Sequence, residues 1–192
     1  MPGLRERKKQ ELRHELSRVG IDQFIARGFA TTTVDDIVAP LGASKRTFFR
    51  YFETKEDVVF AWYDELTHEL VDTLRARPKH EPPYEAVCAT LMSLLRLYDA
   101  DRTRAIALQR LTRETPALVG KSFEKRAIWE RELAAVLVSR LAKSATRQLR
   151  AEVIVATALA AFTHAVDQWA VDEGATDLHA LVGKAFAFAK AL

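Results

Sequence analysis

The sequence predicts an all-α protein, and three observations point there. Apolar residues recur at three- and four-residue spacing through most of the 192 residues, and no strand-like alternation bounded by turn residues is present. Glycine and proline fall between the periodic segments, at Gly28, Pro78, Pro82, Pro83 and Gly174, where they end helices rather than interrupt them. Residues 33–55, TVDDIVAPLGASKRTFFRYFETK, read as two short helices joined by a glycine turn.

A first helix is predicted over 5–27, with Leu12, Leu16, Val19, Ile21 and Phe24 mostly on one face and Gly28 as its stop. It buttresses the two short helices behind it. Arg5, Arg7, Lys8 and Lys9 at its start are a basic arm, suited to phosphates or a minor groove and otherwise simply solvated.

Thr33 stands three residues before Asp36, a capping-box spacing, and Val34, Ile37, Val38 and Leu41 follow at helical intervals. Pro40 removes a backbone N–H late in this helix, which is expected to end early or kink there. After Gly42-Ala43, Ser44 is suited to cap the second helix. At about 100° per residue, Phe48 and Phe52 lie on one side of that helix and Arg46 and Arg50 nearly opposite. One face packs and the other carries positive charge. Thr54 with Asp57 predicts the start of a further helix, and Lys55 at its N-terminus is expected to clamp a phosphate with the free N–H groups there.

This block resembles the DNA-binding domain of TetR-family transcriptional regulators. Thr33, Asp36-Ile37, Gly42-Ala43-Ser44, Thr47, Phe48, Phe49, Tyr51, Phe52, Lys55 and Glu56 fall in register with that family's signature. The resemblance implies an N-terminal helix-turn-helix DNA-binding domain over 1–54 and a helical effector-binding and dimerisation domain over 55–192. Thr33, Ser44, Lys45, Arg46, Thr47, Phe49, Arg50, Tyr51 and Lys55 are the expected DNA contacts. Phe49 departs from the tyrosine usual in the family, so a hydroxyl contact to phosphate is lost and only the ring remains.

Residues 55–76 predict a long amphipathic helix through Val58, Val59, Trp62, Tyr63, Leu66, Leu70 and Leu74, ended by the prolines. Helices are then predicted over 84–100, 102–114 and 116–141, the last with Thr115 as cap before Pro116 at the first helical position. Two more are predicted over 147–173 and 177–192, and both are apolar on more than one face, which requires more than one packing partner. In the family the last two helices form a four-helix dimer interface. The resemblance therefore implies a homodimer held through Ala158, Ala161, Ala165, Trp169, Leu181, Ala185 and Phe188.

The family also places a small-molecule cavity among its middle helices, and large aromatics with a few polar groups suit one. Trp62, Leu66, Leu95, Tyr98, Leu111, Trp129, Phe162 and His164 are the expected lining. The plain alternative is a packed core, with His164 as a hydrogen-bonded core histidine. RLTRETPAL at 110–118, followed by WEREL at 129–133, resembles the C-terminal domain of mycofactocin-type TetR regulators. That likeness implies an acyl-CoA-like effector whose polar head would meet Arg110 or Arg113, residues that otherwise make surface ion pairs.

Formal net charge is only +3, so total charge does not mark a nucleic-acid binder. Residues 1–60 hold eleven Lys/Arg against nine Asp/Glu, and the local pattern has to carry the reading. A single cysteine, Cys88, excludes an intrachain disulfide framework and fits a reducing compartment. MPGLRERKKQ lacks a secretory h-region, and the longest uncharged run, 153–166, contains Thr157, Thr163 and His164, as in a buried helix rather than a membrane span. A cytoplasmic protein is expected. No P-loop, GxGxxG, HExxH or CxxC occurs, so no metal, cofactor or catalytic set is expected and an enzyme is not. The expected function is a ligand-responsive DNA-binding regulator, a repressor released by a small apolar or acyl-type effector. The alternative is an α-helical protein-interaction adaptor.

Overall fold

The structure, a computed structural model, describes residues 4–191, with side chains from residue 7 onward; the expectation for Arg5 lies outside those side chains. Ten α-helices and no strands are found among the described residues. They are α1 (Leu4–Arg27), α2 (Val34–Val38), α3 (Lys45–Phe49), α4 (Tyr63–Ala76), α5 (Pro83–Met92), α6 (Leu95–Ala100), α7 (Arg102–Glu114), α8 (Pro116–Val138), α9 (Arg147–Val171) and α10 (Leu178–Ala191).

The chain divides into two compact units, one of residues 4–64 with 111–123 and one of 65–110 with 124–191. This differs from a boundary at 54/55. The chain passes between units inside α4, α7 and α8, and the segment 111–123 belongs with the N-terminal unit.

In the first unit α1 buries Leu16, Val19, Ile21 and Phe24 among Ile37, Val38, Phe48, Phe52 and Val58. Ser17 is fully buried yet satisfied, its Oγ donating to the Val58 carbonyl at 2.8 Å. Gly20 makes this approach possible, because a Cβ there would stand 2.5 Å from Val58 Cγ1. The predicted helix from Thr54 is replaced by a short 3₁₀ turn, Glu56–Val58, and further turns before α4 begins at Tyr63. Val58, Val59, Phe60 and Ala61 are consecutive and all buried. An α-helix with a single packing side would leave part of such a run in water.

In the second unit α9 is the central helix and packs against α5 and α10. It is long and apolar enough by composition to cross a membrane, but Ala151, Val155, Leu159, Phe162, Val166 and Trp169 are buried within the unit, as in a core helix. The predicted helix over 84–100 is broken at Ser93, whose Oγ donates to the Thr90 carbonyl at 2.7 Å and competes with the helical ladder. Tyr84 Oη donates to the Phe186 carbonyl at 3.0 Å, joining α5 to α10.

Candidate nucleic-acid interface

Each short helix is started by the side chain that the sequence nominates for it. Thr33 Oγ1 accepts from the Asp36 N–H at 3.2 Å and Asp36 Oδ2 accepts from the Thr33 N–H at 2.8 Å, a closed capping box. The Thr33 hydroxyl and then its N–H, joined by Arg27, hold the Asp36 carboxyl below the ordinary carboxylate range. Pro40 sits in a 3₁₀ turn, Ala39–Leu41, that takes over where α2 stops after Val38, so the helix ends early rather than kinking. Gly42 then adopts φ 60°, a conformation in which a Cβ is disfavoured. Ser44 caps α3 by accepting from the Thr47 N–H at 3.1 Å.

α3 is amphipathic in the expected sense. Phe48 is fully buried and Phe52 nearly so, their centroids 5.2 Å apart. Ser44, Lys45, Arg46, Phe49 and Arg50 are exposed, with Thr47 and Tyr51 half-buried at the flanks. Lys45 Nζ lies 2.7 Å from Asp35 Oδ2 of α2, and Arg50 donates to Tyr51 Oη at 3.2 Å with its guanidinium over that ring. At about 100° per residue Arg46 and Arg50 stand nearly opposite Phe48, whereas Lys45 lies on the flank that meets Asp35. Thr33 is exposed at the start of α2 with its hydroxyl engaged in the cap.

Lys55 is a correction. Its ammonium turns inward and donates to the carbonyls of Phe29 at 2.6 Å and Thr32 at 2.9 Å, 4.2 Å from the Phe29 ring centroid. It also stands before a three-residue 3₁₀ turn, not a helix N-terminus, and Asp57 Oδ2 already accepts from the nearby N–H groups of Glu53 and Thr54. Lys55 ties the loop after α1 to the turn after α3, and its ammonium is engaged there rather than held out for a phosphate.

Asp57 and Lys121 are residues whose pairing sequence reasoning missed. Lys121 Nζ lies 3.0 Å from Asp57 Oδ1. Partial burial pushes the Asp57 carboxyl up, but the hydrogen bonds from Lys121 and Thr54 outweigh it and leave the group below its ordinary range. Thr54 and Asp57 are legible as a cap pair; a lysine far along the chain is not.

Two family profiles cover most of the chain. Residues 18–62 match bacterial regulatory proteins, tetR family, and residues 81–191 match the MftR C-terminal domain. The chain is also 30% identical over 186 residues to the HTH-type transcriptional regulator TcmR of Streptomyces glaucescens, spanning 94% of this chain and 82% of that protein. The chain belongs to the TetR family. It is 30% identical over 185 residues to a Mycobacterium tuberculosis protein named for mycofactocin biosynthesis regulation, MftR, over 94% of this chain and 90% of that one. Among solved structures, Thermus thermophilus FadR, a TetR family transcriptional repressor in complex with lauroyl-CoA, matches with a TM-score of 0.62 at 19% identity over 93% of each chain. At that identity the match speaks for the fold.

In this TetR-family regulator the eight residues nominated for an effector pocket are divided, Trp62 and Leu111 belonging to the first unit and the other six to the second. Trp62 is 43% exposed and stacks on His14 in the first unit, with centroids 3.5 Å apart. Leu111 is half-buried in the same unit. In the second unit Leu95 is fully buried, Phe162 nearly so, and Leu66 half-buried. Trp129 Nε1 donates to Thr67 Oγ1 at 2.8 Å, and the Tyr98 ring meets Phe162 and Trp169 edge-on. These make a packed core. His164 is exposed, so it is not a core histidine of the protomer. The second unit does carry two depressions: one of about 230 Å³ beside Tyr98, Arg102, Trp169 and His179, and an open groove of about 420 Å³ between α8 and α9. Arg110 pairs with Glu173 at 2.9 Å and Arg113 with Glu114 at 3.8 Å, the surface ion pairs that were the alternative to a head-group contact.

The residues nominated for dimerisation split by face. Ala158, Ala165 and Trp169 are buried within the protomer, while Ala161, Leu181 and Ala185 are half-buried. Phe188 is 72% exposed. The apolar residues that α9 leaves in water are Leu149, Val153 and Val171. At about 100° per residue they form one stripe nearly 180° from the Ala158, Ala165 and Trp169 face. A helix apolar on both sides gives no indication in its sequence of which side its own chain covers.

Proposed function

We propose that this TetR-family chain is a homodimeric cytoplasmic repressor that places α3 of each protomer in successive major grooves and leaves its operator when a small apolar or acyl-type molecule binds. The observation that carries the DNA reading is α3 itself. A Ser44-capped helix, braced by Phe48 and Phe52, offers Arg46 and Arg50 to solvent nearly opposite that packing face, with Lys45 exposed on its flank. An adaptor has no need to set cations opposite an aromatic packing face. Arg46 is exposed and has no hydrogen bond or ion pair among the described residues, so its fork is available to pair with the O6 and N7 acceptors of a guanine.

The test is a gel shift on duplexes flanking the protein's own gene, run at two salt concentrations. Steep weakening with salt is expected from phosphate contacts, and no shift at either salt would favour the adaptor. Arg46→Ala should cost about 1–3 kcal/mol of discrimination at one base pair per half-site. Equal weakening on every sequence would make Arg46 a phosphate contact.

Dimerisation draws support from the outward apolar stripe of α9 together with Phe188 on α10. Paired protomers would also give the two recognition helices the spacing of about 34–36 Å that successive grooves require. Val153→Glu places a charge on that stripe without disturbing the protomer core. The expected result by sedimentation is a folded monomer; a folded dimer would move the interface elsewhere.

The acyl-type effector is supported by the lauroyl-CoA complex of the FadR neighbour. Release requires differential affinity for the free and operator-bound forms, and typical couplings are about 1–3 kcal/mol. By reciprocity, operator DNA must weaken effector binding by the same factor, which calorimetry with and without operator measures.

A further inference from the structure

Phe49 stands on the exposed flank of α3 beside Lys45 and Arg46, and 56% of it is open to solvent. Its ring meets the buried Phe48 ring edge-on, with centroids 5.3 Å apart and planes at 84°. It is therefore braced from the core side and open at its outer edge. A phenyl ring has neither donor nor acceptor, so it can satisfy neither a phosphate nor the polar base edges that suit Arg46 and Arg50. The major groove offers one apolar, sequence-bearing group, the 5-methyl of thymine, and a phenylalanine edge is a suitable partner for it. The cations around Phe49 fit the phosphates that flank any base in that groove. At about 100° per residue Phe49 lies roughly 60° from Arg46 around the helix, close enough for the two to address neighbouring base pairs.

We propose that Phe49 is a specificity-determining residue that recognises one thymine per half-site through its 5-methyl group, near the base pair that Arg46 reads. This rests on α3 being the recognition helix and adds an apolar contact to its polar ones.

The test uses the full chain. Duplexes are selected from a random library, and each thymine of the enriched sequence is replaced in turn by deoxyuridine, which keeps the base-pairing edge and removes only the methyl. The wild type should lose about fourfold in affinity at one position per half-site, the effect of burying one methyl. In Phe49→Ala the same replacement should be silent, and in Phe49→Tyr, which keeps the ring, it should still register. Absence of any uracil-sensitive thymine in the wild-type scan would overturn the inference without need of a variant. So would a penalty equally large in Phe49→Ala. Both results leave the DNA-binding reading in place, whereas a library that yields no enriched duplex removes that reading and this inference together.

Discussion

Replacing Lys55 with alanine is expected to lower the thermal midpoint of the DNA-binding unit by about 10 °C or more, and DNA affinity should fall as a consequence. The ammonium donates to two backbone carbonyls, Phe29 at 2.6 Å and Thr32 at 2.9 Å, and stands over the Phe29 ring. Charge-assisted hydrogen bonds contribute about 1.5–3 kcal/mol each before water replaces part of the loss, and a cation over an aromatic face about 0.5–2 kcal/mol. With Lys55 half-buried, a net cost of about 2–4 kcal/mol follows, and a small unit shifts by roughly 4–8 °C per kcal/mol. Lys55→Met, which keeps the stem but not the donors, should behave nearly as alanine does. Calorimetry decides between roles: an unchanged midpoint with a reduced salt slope would return Lys55 to the phosphate backbone.

Arg140→Ala should destabilise the C-terminal unit on a similar scale. The guanidinium closes the end of α4, with Nη1 donating to the carbonyls of Leu74 at 3.1 Å and Arg77 at 2.9 Å, and Nη2 to that of Pro78 at 2.5 Å. The last carbonyls of a helix have no intrahelical partners, and one planar fork serves three acceptors here. Truncation leaves the carbonyls of buried Leu74 and half-buried Arg77 without that donor while water can reach the one at exposed Pro78, at an expected cost of about 2–4 kcal/mol. Lysine at 140 has a single donor head and should recover no more than about half of it. Urea titration of the three proteins measures the order wild type, Arg140→Lys, Arg140→Ala. Equal midpoints for all three would show that water satisfies the three carbonyls just as well.

The parts of this protein legible in the sequence are those fixed within a few residues. Caps are local: Thr33 with Asp36 and Ser44 with Thr47 close over three residues, so α2 and α3 start where the sequence places them. The turn at Gly42 and the opposition of Phe48 and Phe52 to Arg46 and Arg50 follow from the same short range, and with them the exposed face of α3 and the family resemblance. Tertiary structure decided what depends on partners far along the chain. Lys55 reaches carbonyls 26 and 23 residues away, and a flexible four-carbon stem gives no sign in sequence of whether its charge turns inward or outward. Asp57 and Lys121 meet only because residues 111–123 fold with the N-terminal unit. Trp62 and Trp129 are equally plausible pocket residues by composition, yet one stacks on His14 at the surface and the other is buried against Thr67. On α9 hydrophobicity runs around both sides, so periodicity identifies a helix but not its inner face; packing against α5 and α10 buries Ala158 and Trp169 and turns Val153 outward.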